Sequence, residues 1–325
     1  MAPRRRVWVT GGSGFIGRAL VRDLVARGDD VTVPLRDRRR VADLVDLEGA
    51  TLLQEDLTDV RRLAESLRDA DAVIHAAGSY RVGIPRAQRG AMWDANIGTT
   101  TRVLDAAETA GVGRIVYLST VGAFGNTHGQ VVDETYRRDL RDGFISWYDE
   151  TKYGAHEVAQ QRAAAGAPVV TVLPSQVYGP ADHSAVGDQL RLAYRGQLRY
   201  RALDDVGLGF VHVEDLAAGI LAALDQGSIG QSYILSGPTS TLAEVLAIAA
   251  RLGGHGLPPR IPTGLLRLLA PFGRLIRQPN LAETISAGAG VTYWASSAKA
   301  AAQLGFAPRA VEDGLRDTFG LPARD

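Results

Sequence analysis

The chain has 325 residues, of which 46% are hydrophobic and 22% are charged, and its formal net charge is zero. This composition is typical of a folded globular protein, and the balanced charge argues against a general attraction to nucleic acid or to an anionic membrane. Because the chain has no cysteine, disulfides, thiolate metal sites and cysteine nucleophiles are excluded.

The first half of the chain alternates short β-rich runs with amphipathic helical segments. The predicted strands are 7–10, 31–35, 51–54, 72–75, 114–119 and 169–173. The predicted helices are 16–27, 38–47, 59–68, 88–110 and 148–165. Strict alternation of strand and helix predicts an α/β fold with a Rossmann-type, doubly wound parallel sheet. Such a sheet binds its ligand beyond the carboxyl ends of the strands.

The alternation ends near residue 174, where helices 242–251 and 264–276 are joined by irregular stretches. We predict a dinucleotide-binding domain at 1–174, to which 206–235 return. A smaller, partly helical substrate lobe is predicted at 175–205 and 236–325. The predicted helix 264–276 either closes this lobe or presents an amphipathic patch to a membrane or an apolar substrate. The residues of this patch are Leu265, Leu266, Arg267, Leu268, Leu269 and Arg274.

A glycine-rich turn follows the first predicted strand and leads into a predicted helix. Glycines at this spacing allow a tight turn, close approach of the backbone to a pyrophosphate, and close packing of helix on strand. The N–H groups at the start of the helix are donors for the anion. The pattern therefore predicts a dinucleotide site that includes Thr10, Gly11, Gly14, Phe15, Ile16 and Gly17.

The end of the second predicted strand bears on the choice between NADP and NAD. Binders of NAD place a carboxylate at the strand tip, whereas this chain has Leu35 there, then Arg36, with further arginines at 38–40. A guanidinium matches the oxygens of a 2′-phosphate. We therefore predict NADP(H) rather than NAD(H), although Asp37 leaves the NAD alternative open.

Asp56 and Leu57 follow the third predicted strand. A carboxylate here can accept a hydrogen bond from the adenine amino group, so both residues are assigned to the cofactor site. The alternative, which is compatible with the first, is that Asp56 or Thr58 caps the next helix.

Tyr148 and Lys152 stand four residues apart, and Lys152 is one of only two lysines in the chain. At helical spacing their side chains share a face. An ammonium beside a phenol favours the phenolate, which makes the tyrosine a proton donor or acceptor near neutral pH. The alternative is an ordinary pair on the surface of a helix.

These motifs occur in order with several others: His75 to Gly78, Asn96 to Thr99, Leu118 to Thr120, Leu173 to Pro180, and Phe210 to Ala217. Together they resemble the extended short-chain dehydrogenase/reductase family over nearly the whole chain. The resemblance implies that Tyr148 is the general acid or base and that Lys152 binds the nicotinamide ribose. Thr120 would hold the substrate oxygen, with Ser119 as second choice. Asn96 would kink its helix and assist proton relay. The remaining cofactor contacts implied are Ala76, Ala77, Gly78, Pro174, Ser175, Gln176 and Val177.

The branch of the family is indicated by departures from its other members. Val121 and Gly122 after Thr120 cannot do the acid–base work of a dehydratase, and Gln176 and Gly209 replace the asparagine and arginine that are usual in nucleotide-sugar epimerases. Segments 233–237 and 241–244 look like the dihydroflavonol-reductase-like branch. The resemblance thus implies NADP(H)-dependent chemistry on a ketone or secondary alcohol of a moderately large, mainly apolar molecule. A nucleotide-sugar epimerase and a non-catalytic NADP-sensing regulator are the alternatives.

The remaining expectations concern metals, partners and compartment. The six histidines are scattered without ligand spacing, so no catalytic metal is expected. No run approaches the roughly 18 apolar residues of a membrane span, and no secretory signal is recognised. We therefore expect a cytoplasmic protein with a small-molecule substrate. Family members dimerise through the helices equivalent to 88–110 and 148–165, so the resemblance also implies a homodimer.

Overall fold

The computed structural model describes residues 4–36, 47–272 and 280–323. Its strands are β1 Arg6–Thr10, β2 Asp30–Leu35, β3 Thr51–Gln54, β4 Ala72–His75, β5 Ile115–Leu118, β6 Val169–Pro174, β7 Gln176–Tyr178, β8 Gly207–His212, β9 Ser232–Leu235 and β10 Thr239–Thr241. Its helices are α1 Phe15–Ala26, α2 Val60–Leu67, α3 Arg89–Trp93, α4 Thr99–Thr109, α5 Trp147–Ala164, α6 Ala185–Tyr194, α7 Val213–Gln226, α8 Leu242–Leu252, α9 Thr263–Leu269, α10 Leu281–Gly288, α11 Ala298–Leu304 and α12 Val311–Thr318.

Seven strands form one parallel sheet in the order β3-β2-β1-β4-β5-β6-β9. Val7 of β1 lies beside Val31 of β2 on one side and Ala72 of β4 on the other. The order of the strands therefore reverses between β1 and β4, which is where a doubly wound sheet opens its ligand crevice. The predicted α/β fold with a Rossmann-type parallel sheet is confirmed, and the predicted strands match the observed ones to within a residue at each end.

Helices cover both faces of this sheet, which explains why its central strands are buried on both sides. Val7 and Val9 point into a core with α1, α7 and α11, whereas Trp8 points into a core with α2, α4 and α5. Successive residues of a strand face opposite sides, and a strand covered on both faces lacks a polar side. All six residues of β6 are buried for this reason.

A second sheet of three strands lies beside the first in the order β10-β8-β7. β8 runs parallel to β7 and antiparallel to β10. Within 206–235, β8 belongs to this second sheet, whereas β9 pairs with β6 in the main sheet. Ala300 and Leu304 of α11 are buried in the core of the main sheet. The chain therefore crosses between the two layers more than once.

Two predicted helices differ from the structure, and the structure does not test a third. The segment 88–110 is not one helix, because a π-helical turn at Asp94–Gly98 separates α3 from α4. The helix predicted at 38–47 falls almost wholly outside the described residues. The helix predicted at 264–276 is α9, which ends at Leu269 and buries none of its residues fully. Leu268 is 74% exposed, so α9 does not close a core; Arg274 lies outside the described residues.

Within the described residues, no helix is both long enough and apolar enough to cross a bilayer.

Candidate active site

The glycine-rich turn between β1 and α1 is shaped to hold an anion at the switch point of the sheet. Gly11 has a φ of +72°, and a Cβ there would lie 2.7 Å from the backbone of Ala76 and Ala77 after β4. A Cβ on Gly17 would overlap the carbonyl oxygen of Gly11. Gly14 is the N-cap of α1 and offers no side chain to its first N–H groups. Those N–H groups therefore remain as donors for a bound pyrophosphate.

His75 fixes the two strands on either side of this crevice. Its Nδ1 lies 2.7 Å from Thr10 Oγ1, and its Nε2 lies 3.0 Å from Thr100 Oγ1 on α4. The Ala77 N–H also donates to Thr10 Oγ1 at 3.2 Å. Burial, with a smaller contribution from the charge of Lys152, lowers the pKa of His75 to about 3. The ring is therefore neutral at physiological pH, and it connects Thr10 to Thr100 through hydrogen bonds.

Arg36 directly follows β2 and is exposed, at the adenosine side of the predicted cofactor site. The further arginines at 38–40 and Asp37 lie outside the described residues.

Asp56 lies in the loop after β3. It accepts hydrogen bonds from Thr58 N at 3.1 Å and Thr58 Oγ1 at 2.6 Å, which lower its pKa. Leu57 has a φ of +61°, and its carbonyl accepts from Arg102 Nε at 2.8 Å. The cap of α2 is Asp59 rather than Asp56 or Thr58, because the Asp59 carboxylate accepts from two N–H groups of the first turn.

Thr120, Tyr148 and Lys152 meet at the carboxyl end of β5. Tyr148 lies in the first turn of α5, and a hydrogen bond with the Thr120 hydroxyl acts to lower the pKa of its phenol. Lys152, one turn later, donates from Nζ to the carbonyl oxygen of Leu118, the last residue of β5, at 3.2 Å. The sequence-predicted proton donor, hydroxyl and ammonium are thus brought together.

The pKa of Tyr148 differs from the sequence-based prediction, which was that the neighbouring ammonium would lower it. Burial is the largest influence on Tyr148, and it raises the pKa of the phenol, with a smaller contribution from neighbouring Tyr80. Burial also lowers the pKa of Lys152 to about 8. In the protein alone, the cost of placing a phenolate away from water outweighs any help from the ammonium.

Asn96 links the loop after β4 to α5. It lies in the π-helical turn, where its Oδ1 accepts from Ser79 N at 2.7 Å. Its Nδ2 donates to the carbonyl oxygen of Ser79 at 3.1 Å and to Thr151 Oγ1 at 2.9 Å. A Cβ on neighbouring Gly78 would lie 3.2 Å from Asn96 Oδ1. Both ends of the amide are therefore used to hold the segment that precedes Tyr80.

The link between β6 and β7 is a single residue, Ser175. Pro174 ends β6 and Gln176 begins β7, where Gln176 Nε2 donates to the carbonyl oxygen of Val177 at 3.0 Å. Ser175 is buried, and its Oγ has no hydrogen-bond partner among the described residues. A buried hydroxyl without a partner is costly unless a ligand satisfies it.

Comparison with known proteins identifies the family. A profile of the NAD dependent epimerase/dehydratase family matches residues 7–235. The chain belongs to this family. The match confirms the resemblance to extended short-chain dehydrogenases/reductases, whose characteristic cofactor is a nicotinamide dinucleotide.

The relatives include proteins named as reductases. The chain is 30% identical to a Synechocystis sp. protein provisionally named dihydroflavonol 4-reductase, over 95% of this chain and 92% of the relative. It is 29% identical to the 2-alkyl-3-oxoalkanoate reductase of Stenotrophomonas maltophilia, over 96% of this chain and 97% of that protein. The crystal structure of gox2253 matches with a TM-score of 0.81 and 28% identity, over 98% of this chain and 97% of that one.

Two tyrosines that the sequence motifs did not single out surround Tyr148 in this family member. The ring of Tyr80 meets that of Tyr148 edge to face, with 4.7 Å between the ring centroids. Tyr80 is itself 56% exposed. Tyr293, whose pKa is raised by burial, is close enough to influence the pKa of Tyr148, and its hydroxyl donates to the carbonyl oxygen of Ala287 at 3.3 Å. Both come from irregular segments, where spacing gives no signal.

A buried ion pair beside Tyr148 was also missed. Arg138 Nη1 lies 2.5 Å from Asp149 Oδ1, and Arg138 Nη2 lies 2.7 Å from Oδ2. Both side chains are 5% exposed. The pair holds the loop before α5 against the turn that carries the phenol. Asp149 lies within the Tyr-x-x-x-Lys motif, but nothing in the sequence marks Arg138 among many arginines.

One group of described residues could offer three ligand atoms to a metal ion: His212, Glu214 and Asp317. Arg309 already pairs with two of these carboxylates, at 3.3 Å from Glu214 and 3.7 Å from Asp317. A guanidinium inside the group is the arrangement of an ion-pair network, and we assign it no metal.

Proposed function

We propose that this protein is an NADP(H)-dependent oxidoreductase. It would transfer a hydride between the nicotinamide and a ketone or secondary alcohol of a moderately large, mainly apolar substrate. The observation that carries the proposal is the meeting of Tyr148, Thr120 and Lys152 at the end of β5. A phenol, a hydroxyl and an ammonium at one strand end suit proton transfer to a carbonyl oxygen.

Tyr148 would donate its proton to the carbonyl oxygen when a ketone is reduced, and would accept a proton when an alcohol is oxidised. Its raised pKa keeps the phenol protonated at neutral pH in the absence of substrate. Thr120 would hold the substrate oxygen beside that phenol. Asn96 would fix the loop and helix on either side through Ser79 and Thr151. Lys152 would orient the nicotinamide ribose from its place against β5.

The dinucleotide would be held by residues that surround the switch point, and when bound it supplies the hydride. Gly11 and Gly17 allow the turn to pack closely, since a Cβ at either position would overlap neighbouring backbone. The N–H groups at the start of α1 would then bind the pyrophosphate. Arg36, exposed after β2, would pair with a 2′-phosphate. Asp56 would lie at the adenine. The unpartnered Ser175 hydroxyl would gain a hydrogen bond at the nicotinamide end.

The substrate proposal depends on the residues around the phenol. Tyr80 and Tyr293 lie near Tyr148 and would offer aromatic surface to an apolar substrate. At Gly209, where epimerases of the family usually carry an arginine, a Cβ would overlap Ser236 Oγ. That position is therefore closed to the guanidinium that would bind a sugar diphosphate. A solved structure named as a nucleoside-diphosphate-sugar epimerase, from Pseudomonas aeruginosa, matches with 25% identity and a TM-score of 0.78, so an epimerase is the second candidate.

Stoichiometry tests the proposal. The purified protein would be incubated with NADPH or NADH and with panels of apolar ketones and of nucleotide sugars. The amount of reduced cofactor consumed would then be compared with the amount of product formed. We expect one NADPH consumed for each ketone reduced, and loss of at least about 100-fold in kcat for Tyr148→Phe. Conversion of a nucleotide sugar without net NADPH loss would establish the epimerase. Unchanged biological output in Tyr148→Phe would favour the sensor.

We further propose the domain division predicted from the sequence. We also propose a cytoplasmic homodimer that packs through segments 88–110 and 148–165. Light scattering of the full chain in solution tests the assembly: a mass of one chain at all concentrations would exclude it.

A further inference from the structure

The first turn of α5 is completed by a residue from the far end of the chain. Glu283, in α10, accepts a hydrogen bond through Oε1 from the backbone N–H of Trp147 at 2.9 Å. Trp147 is the first residue of α5 and directly precedes Tyr148. The N-cap, Ser146, accepts from the N–H of Asp149 at 3.0 Å. One N–H group of this turn is thus satisfied locally and another by a residue 136 positions away.

Arg89 and Trp147 build a small cluster around this contact. The Trp147 indole donates from Nε1 to the carbonyl oxygen of Arg89 at 3.0 Å, and the Arg89 guanidinium lies 5.2 Å from the centroid of the Trp147 ring. Arg89 Nη2 lies 3.5 Å from Glu283 Oε2. We call Arg89, Trp147 and Glu283 the latch. It joins α3, α5 and α10.

A second contact fixes α10 to the loop that carries Tyr80. Asn280, the N-cap of α10, donates to the carbonyl oxygens of Gly83, at 3.2 Å, and of Ile84. Gly83 has a φ of +75°, and a Cβ there would lie 3.0 Å from Thr284 Oγ1. The first turn of α10 therefore packs on backbone from the same loop whose tyrosine meets Tyr148.

Within the latch, the hydrogen bond to the backbone matters more than the ion pair. The Glu283 side chain is 12% exposed, whereas that of Arg89 is 36% exposed, and the two charged groups are 3.5 Å apart. A partly exposed pair at that distance contributes little. The Trp147 N–H donates to a nearly buried carboxylate at a helix N-terminus, where a negative charge is favoured by the helix dipole.

We propose that Glu283 is a positioning residue for the proton donor. Its carboxylate fixes the first turn of α5, and so holds Tyr148 in place through contact between α10 and α5. The C-terminal part of the chain thereby sets the geometry of a phenol that lies in the N-terminal half. This inference rests on the proposed role of Tyr148, but the latch itself can be tested without any substrate.

The test uses the full-length protein with three substitutions. Glu283→Ala removes the acceptor. Glu283→Gln keeps an oxygen that can accept from Trp147 and loses only the charge. Glu312→Ala is the matched control. Glu312 lies in α12, its side chain is 15% exposed, and it forms an ion pair at 2.8 Å with Arg251 of α8. Hydrogen–deuterium exchange would be followed at the first turn of α5, together with the affinity for NADPH and turnover.

We expect exchange at the first turn of α5 to be about tenfold faster in Glu283→Ala, with kcat about tenfold lower and NADPH affinity unchanged. Glu283→Gln should have an exchange rate and a kcat close to those of the wild type. If the alanine variant does not fold, the same two quantities would be measured on Glu283→Gln. Glu312→Ala should leave both unchanged. The inference would be overturned if exchange at the first turn of α5 were as slow in Glu283→Ala as in the wild type, or if Glu312→Ala accelerated it equally. Absence of turnover in the wild type would instead count against the proposed function, while exchange still decides the latch.

Discussion

Lys152 lies where its own charge is disfavoured. Burial lowers its pKa to about 8, and its Nζ has the carbonyl oxygen of Leu118 as acceptor. The unfolded chain holds a proton on this lysine up to its ordinary pKa near 10.5. Between those pH values the unfolded state binds more protons than the folded one, so the contribution of Lys152 to stability improves as pH rises.

We therefore predict that Lys152→Met stabilises the protein while it abolishes activity. At about pH 7 the free energy of unfolding should rise by about 1 to 3 kcal/mol, because a buried ammonium is removed. The advantage should shrink towards pH 10, where wild-type Lys152 is neutral. Denaturant unfolding of both proteins at the two pH values measures it. An advantage that does not change with pH would show that another property of methionine causes it.

Arg36 allows a residue-level prediction about the cofactor. Because its guanidinium is exposed directly after β2, Arg36→Gln should weaken NADPH binding by about tenfold and leave NADH binding nearly unchanged. Titration followed by nicotinamide fluorescence measures the affinities for NADPH and for NADH. Arg68→Gln, at the end of α2, is the control. Equal loss for both cofactors would mean that Arg36 does not read the 2′-phosphate.

At the scale of elements, a buried ion pair holds the loop before α5 against the helix. Arg138 and Asp149 are both 5% exposed, and Asp149 also accepts from the N–H of Ile145 at 3.0 Å. Removal of one partner leaves a buried charge without compensation, which commonly costs about 3 to 5 kcal/mol. The loop and the start of the helix should therefore loosen together.

The prediction is that Asp149→Asn lowers the free energy of unfolding by about 3 kcal/mol and lowers kcat, since Tyr148 is the preceding residue. The double variant Arg138→Met with Asp149→Leu should recover a large part of the stability. Arg141→Ala, which breaks a pair with Asp139 at the surface, should have no measurable effect. Calorimetry measures the stability of each variant. A double variant that is no more stable than Asp149→Asn would contradict the prediction.

The same elements show what sequence patterns can predict. β1 and the glycine turn are local signals, since the order strand, turn and helix is written in consecutive residues. The motif from Tyr148 to Lys152 is local as well. Tyr80, Arg138 and Glu283 are not, because Tyr80 and Arg138 reach α5 from irregular segments and Glu283 reaches it from α10, and these contacts depend on tertiary packing. The family resemblance implied a kink in the helix at Asn96, but not that the kink would be a π-helical turn.

The direction of the Tyr148 pKa was likewise beyond the motif. A four-residue spacing predicts that a phenol and an ammonium share a face, but the degree of burial follows from the surrounding loops. Burial is the largest influence on both groups in the structure. It raises one pKa and lowers the other.

At the scale of the whole molecule, the two sheets are interleaved along the chain. β6 lies in the main sheet, β7 and β8 in the second, β9 in the main sheet and β10 in the second. Leu304 of α11 then returns to the core of the main sheet. Neither layer is built from one continuous stretch of chain.

We therefore predict a single cooperative unfolding transition, with the same midpoint for a probe in the main sheet and one in the second. Tyrosine and tryptophan fluorescence and far-ultraviolet circular dichroism, recorded in the same denaturant series, measure it. A fragment that ends at residue 174 should not fold, because it lacks β9, the partner of β6. A stable fragment of this kind, or two separate midpoints, would contradict the prediction.

The single residue between β6 and β7 has a consequence for the evolution of specificity. Ser175 alone joins β6 to β7, and the chain crosses between the two sheets again after β8 and after β9, so no single continuous segment contains the whole second sheet. We therefore expect substrate specificity among relatives to differ by point substitutions and loop insertions rather than by exchange of one segment.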